Sequence, residues 1–207
     1  MSTLVFGELV LGRIDEVEEQ VVATTFFVVG GPIAPLRCEV IGCSRDAALS
    51  WGTFGRSVGL GYYRFWGAVL PSFLFLASIN TGRPLTRWLE RDGWITYGVL
   101  LLLWLLSFFA FGRVGAAERR RRVLLGSRTG INVSPRMLTR ASARVTLAHL
   151  EEEWRRERPG VEWRDRLDDA DPEDALLLYA LAAYTDAVER TPGSRAKERA
   201  AWRLLAA

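Results

Sequence analysis

One stretch of the chain has no polar face at all. Trp94 to Phe111, WITYGVLLLLWLLSFFAF, runs eighteen residues without a charge, and eleven of them are Leu, Ile, Val or Phe. A membrane-spanning helix needs about 20 mainly apolar residues, within roughly 17 to 25, so the pattern predicts a span over 94–111. Upstream, Val58 to Ile79 has an apolar core from Phe65 to Ile79. It reaches spanning length if Arg64 snorkels to an interface beside Tyr62, Tyr63 and Trp66. Pro71 is tolerated within such a helix. Asn80 to Gly93 then joins two spans into a helical hairpin.

The pattern changes on either side. Leu4 to Leu11 is β-prone, and Arg13 to Gln20 reads as a polar turn rich in acids. Val21 to Ile41, VVATTFFVVGGPIAPLRCEVI, is dominated by strand-favouring Val, Thr and Phe. Gly30, Gly31, Pro32 and Pro35 break it in the middle. This predicts strands at 21–29 and 36–41; the rival reading is a membrane-embedded segment. Ser44 to Ser57 reads as a linker. Beyond the apolar runs, Ser134 and Pro135 look like an N-cap and first helical residue, with the helix ending near Arg158 before Pro159-Gly160. Two apolar faces, Leu138/Ala141/Val145/Ala148 and Leu147/Leu150/Trp154, predict a helix packed on both sides. Asp171-Pro172-Glu173-Asp174 opens a second helix, Ala175 to Val188, which is apolar nearly all round but too short to span. Ser194 is a candidate cap for a last amphipathic helix with Trp202, Leu204 and Leu205.

These elements predict a membrane α-helical fold: a two-span transmembrane hairpin, a small N-terminal β-rich element and a C-terminal cytoplasmic three-helix domain. The expected segments are 1–57 (β-rich, possibly membrane-apposed), 58–112 (hairpin, spans 58–79 and 94–111), 113–130 (basic, juxtamembrane) and 131–207 (helical). Arg113, Arg119, Arg120, Arg121, Arg122 and Arg128 follow the second span, outnumbering Arg83, Arg87 and Arg91 in the loop. The positive-inside rule then gives a multi-pass inner-membrane protein with both termini cytoplasmic.

Composition adds little chemistry. The 207 residues carry a net charge of +3, with two Cys and one His. That excludes a disulfide framework and a His-rich metal site. The acidic N-terminus lacks the basic segment of a cleavable signal peptide.

The segment VATTFFVVGGPIAPLRCEV, followed by two apolar helices, resembles uncharacterised bacterial two-span membrane proteins. They carry Val-Ala-Thr, then aromatic and aliphatic residues, then spaced prolines, ahead of a helical hairpin. The resemblance covers about residues 20–41 plus the layout to 112. It implies architecture only, since no activity attaches to that family.

No catalytic, cofactor-binding or metal motif stands out. Cys38 and Cys43 are separated by an odd number of positions, which on one strand puts them on opposite faces. A metal would need two more ligands, and His149 is the one His available. His149 beside Glu151–Glu153 has the makings of a general base, but a surface role on a solvated helix fits as well. Arg64 and the run Arg119, Arg120, Arg121, Arg122 are the candidate lipid contacts, since each Arg near an anionic surface contributes about 1 kcal/mol. The run lacks the interleaved aromatics of a nucleic-acid arm. The expected function is a membrane-anchored interaction or assembly component without catalytic activity, not an enzyme, with membrane lipids (anionic ones among them) and an unidentified protein as partners. The alternative is an oligomeric pore-forming or membrane-permeabilising effector.

Overall fold

A computed structural model of the chain describes residues 6–29, 31–43, 47–81, 94–109, 113–167 and 171–206. Three strands, β1 (Phe6–Val17), β2 (Gln20–Val29) and β3 (Pro32–Ile41), form one antiparallel sheet in the order β1-β2-β3. Six α-helices follow among the described residues: α1 (Trp51–Thr81), α2 (Trp94–Phe109), α3 (Ala116–Thr129), α4 (Arg140–Glu157), α5 (Ala175–Glu189) and α6 (Pro192–Ala206). By contact they divide into two compact units. The first holds Met1–Glu16, Val22–Cys38 and Phe54–Arg113; the second holds Val17–Val21, Glu39–Thr53 and Val114–Ala207.

The strands expected at 21–29 and 36–41 are present as β2 and β3, and the membrane-embedded alternative for that segment is gone. The polar turn expected at 13–20 is instead the second half of β1 and a two-residue connection, Glu18-Glu19. Gly12 and Asp15 both sit at positive φ within β1. They interrupt the strict alternation by which a strand is recognised.

In the first unit, Val22, Thr24, Phe26 and Val28 share one buried face of β2. Thr24 Oγ1 donates to Ser57 Oγ at 2.7 Å, and Ser57 Oγ donates to the Gly12 carbonyl at 2.7 Å. This buried relay ties β2, α1 and β1 together. Gly12 and Gly61 permit the approach: a Cβ on Gly12 would collide with the Ser57 carbonyl, and one on Gly61 with the Phe26 ring. Phe26 in turn meets the Tyr62 ring edge to face at 5.1 Å.

The predicted transmembrane hairpin is corrected here. Among the described residues, no helix is long and apolar enough to cross a membrane. α2 has the apolar composition but is sixteen residues long. At about 1.5 Å per residue that is roughly 24 Å, short of a hydrocarbon core of about 30 Å. Residues 110–112, and the loop at 82–93, lie outside the described residues. α1 is 31 residues long, starting inside the expected linker, but carries Arg56 and Arg64. Arg64 does not snorkel; it is held by backbone carbonyls of the fold. The membrane α-helical fold class, the transmembrane assignment and the multi-pass inner-membrane location with both termini cytoplasmic are therefore withdrawn. The two-span layout implied by the resemblance goes with them.

The second unit is built around α5, which is buried from Leu177 to Ala187. Leu150 and Trp154 of α4, Ala201 of α6 and Leu125 of α3 complete its core, with Leu49 packed against it. The C-terminal core thus draws on more than three helices. Ser134-Pro135 opens a short 3₁₀ turn, Pro135–Met137, and Thr139 is the residue that caps α4, accepting from Ser142 N. Of the two apolar faces expected on α4, that of Leu147, Leu150 and Trp154 packs on the core, while Ala141, Val145 and Ala148 face outward, Val145 at 73% exposure. Ser194 does not cap α6, whose first turn is closed by Thr191 Oγ1 accepting from Ser194 N at 3.1 Å.

Candidate functional site

The predicted site residues do not converge. Arg64 lies in the first unit, where its Nη1 donates to the Arg13 carbonyl at 3.0 Å and its Nη2 to the Ser107 carbonyl at 3.1 Å. Its guanidinium stands 5.0 Å from the centre of the Phe108 ring. Trp104 Nε1 returns a bond to the Arg64 carbonyl at 2.7 Å. Burial lowers the Arg64 pKa. The half-buried guanidinium joins β1, α1 and α2.

The run Arg119–Arg122 lies on α3 in the second unit and is split by the helix. Arg119 and Arg120 are exposed. Arg122 is buried and pairs with Glu118 at 2.9 Å. Arg121 lies 4.6 Å over the Trp202 ring.

The first unit has a surface that sequence reasoning assigned to lipid. On α2, Tyr97, Leu101 and Trp104 point inward: Tyr97 hydrogen-bonds Ser72 at 3.1 Å, and Trp104 bonds α1 as above. Gly67 of α1 lies under the Trp104 ring, too close for any Cβ. Opposite them stand Ile95, Val99, Leu102, Leu106 and Phe109, spaced four, three, four and three residues apart. Ile95 is 68% exposed, Leu102 56% and Phe109 60%. This is the a/d spacing of a helix seam that takes another helix.

The second unit has a cleft of about 350 Å³ lined by Arg121, Arg136, Arg195, Glu198 and Arg199, with Tyr179 and Trp202 as its aromatic wall. Arg136 is committed: it holds Asp186 at 2.6 Å and Glu198 at 3.2 Å. Asp186, almost wholly buried, also accepts from Ser194 Oγ at 2.9 Å. Burial raises the Glu198 pKa, and Arg136 works against it. Burial also raises the Tyr179 phenol well above its ordinary value. The aromatic ring centres of Tyr179 and Trp202 are 5.2 Å apart. Sequence reasoning named Arg121 for lipid and missed the cleft. The available signal was Arg195, Arg199 and Trp202 at i, i+4, i+7 on α6, but Arg136 reaches the same place from another element.

His149 is exposed and borders a different depression of about 370 Å³, with Arg128, Glu152, Glu153, Arg156 and Glu157. Those charges neutralise one another: Arg128 meets Glu153 at 2.7 Å and Glu157 at 3.7 Å. Neither Cys38 nor Cys43 is in a disulfide. Among the described residues, no group of three or more His, Cys, Asp or Glu is placed to hold a metal ion. Comparison with protein-family models, curated proteins and solved structures finds no match to this chain.

Proposed function

We infer that the protein is an interaction or assembly component without chemistry of its own, and that α2 is its docking element. The observation that carries this is the outward seam Ile95, Val99, Leu102, Leu106 and Phe109, which is uncharged and exposed. A helix apolar on every side is ordinarily buried on every side. α2 buries one side against α1, so the other calls for a partner of equal apolarity. Large contiguous exposed apolar patches mark interaction sites.

The occupant that fits is the α2 seam of a second copy. Heptad spacing packs best against a helix with the same spacing. A second copy supplies it through a self-complementary two-fold contact. Leu102 stands at the middle of the seam, so it meets its own counterpart whether the helices run parallel or antiparallel. The pore-forming alternative lacks, among the described residues, the spanning helices expected for it.

Sedimentation of the full chain tests this. Self-association across about 1–50 μM is expected, in line with micromolar or tighter association, and Leu102→Glu with Leu106→Glu should abolish it. Leu102→Cys, made with Cys38→Ser and Cys43→Ser, should form an intermolecular disulfide on oxidation. A wild-type chain that stays monomeric over that range refutes the second copy as occupant.

A further inference from the structure

The cleft of the second unit is a site of its own, independent of the α2 seam. Four guanidinium groups, Arg121, Arg136, Arg195 and Arg199, line about 350 Å³ together with a single carboxylate, Glu198. Arg136 already serves Glu198 and Asp186. Arg195 and Arg199 make no ion pair among the described residues. They lie four apart on α6, where like charges repel unless something stands between them. Arg121 adds a second observation: its Nε is buried and has no hydrogen-bond partner among the described residues. A buried donor without an acceptor is costly, so the remaining Arg121 N–H groups are held in place beside the cleft. Its stacking on Trp202 fixes the guanidinium plane over the cleft wall.

We propose that this cleft binds a phosphoryl oxyanion, held by Arg121, Arg195 and Arg199, with Arg136 fixed by Asp186 and Glu198 at its edge. Several converging guanidinium forks suit a group with three terminal oxygens and a charge approaching −2. A monocarboxylate offers one fork only. Asp186 and Glu198 together hold Arg136 at the cleft edge.

The phosphoryl group has two possible carriers, a soluble phosphomonoester or a phosphomonoester lipid headgroup. Calorimetric titration of the full chain with inorganic phosphate, and separately with phenyl phosphate, reads the first. Co-sedimentation with phosphatidylcholine vesicles containing phosphatidic acid reads the second. Saturable binding in either arm is expected, weakened at least about tenfold by Arg195→Gln with Arg199→Gln, since charge-assisted bonds are the strong ones. Both positions are exposed, so melting curves matching wild type will show that the fold is kept. Binding of acetate as tight as phosphate overturns the proposal. So does absence of saturation in both arms up to about 10 mM phosphate, or binding that the double variant leaves unchanged. Vesicle binding lost in Arg119→Gln with Arg120→Gln but kept in Arg195→Gln with Arg199→Gln also overturns it, because the charge would then act from the exposed side of α3.

Discussion

α2 and α5 are close in length, sixteen and fifteen residues, and both are apolar nearly all round. α5 is enclosed: α3, α4 and α6 cover it, and its side chains from Leu177 to Ala187 are buried. α2 is covered on one side by α1 and leaves a Leu-rich seam outside. The difference is not hydrophobicity. α5 alternates large residues with Ala180, Ala182, Ala183 and Ala187, which lets neighbouring helices approach on every side. Apart from Gly98 and Ser107, α2 carries mostly bulky residues, and Gly67 of α1 makes room for Trp104. A helix whose bulk is concentrated in Leu and Phe accepts fewer close neighbours than one that alternates with Ala.

The largest effect comes from placing a charge at matched positions on the two helices. Leu178→Asp buries an unpaired carboxylate where the wild-type side chain is fully enclosed. The cost is about 4 kcal/mol, most of the stability of a small unit, so its cooperative melt should vanish. Leu102→Asp should leave the melt of the first unit, its own, in place and change only the association state. If both substitutions unfold the protein alike, α2 is a core helix and the contrast fails.

Arg136→Ala should be next in size. It strands the buried Asp186 carboxylate with Ser194 as its hydrogen-bond donor. Breaking such a pair from the cationic side costs about 3 kcal/mol, read as a lowered denaturation midpoint. Asp186→Asn should cost less, because Arg136 is half exposed and turns to water.

Arg64→Ala sharpens the comparison from the other unit. It removes two bonds from a guanidinium to backbone carbonyls and one cation–π contact. About 2 kcal/mol is expected, with α1, α2 and β1 loosening together. Hydrogen exchange should show faster exchange at those elements, while α5 amides stay protected. Protection unchanged around Arg13 and Ser107 would mean that Arg64 is a surface residue.

What was legible in the sequence follows from the same contrast. The Val-, Thr- and Phe-rich run from Val21 gave β2 and the existence of β3, because strand propensity is local, although β3 begins at Pro32, inside the expected Gly/Pro break. The Asp-Pro-Glu-Asp start and apolar body of α5 were equally plain. Asp174 was read as favouring the helix start; its carboxylate in fact grips Arg158 at 3.0 Å and makes no cap bond. β1 was cut short because Gly12 and Asp15 break its alternation, and because Glu18-Glu19 is an unusual two-residue connection where Asn-Gly or Asp-Gly is the norm. The apolar runs at 58–79 and 94–111 read as spans because composition records how much apolar surface exists, not what covers it. The heptad spacing of Ile95, Val99, Leu102, Leu106 and Phe109 was visible all along, hidden by Leu at the positions between. The arginine cleft joins α3, a 3₁₀ turn, α5 and α6, and no local pattern reports such a meeting.

The smallest effect tests whether the second unit's polar edge is as settled as its core. Burial holds the Glu198 carboxyl above its ordinary value, with Arg136 pulling the other way and Asp186 adding to the rise; Arg121 and Glu118 act more weakly. The unfolded chain releases this proton near pH 4.3. Between that pH and the raised folded value, the folded chain holds more protons than the unfolded one. Stability at this site therefore falls as pH rises through the window, and stays lower above it. Glu198→Gln has no proton to lose. Below about pH 4 both side chains are neutral and nearly the same shape, so the two proteins should melt together. As pH rises toward 7 the variant should become the more stable of the two, by an amount that grows across the window and then levels. Paired thermal melts at half-unit pH steps read this directly. A wild type that gains on the variant as pH rises would mean that the Arg136 ion pair outweighs the burial, and that Glu198 belongs with Asp186 among the well-compensated acids.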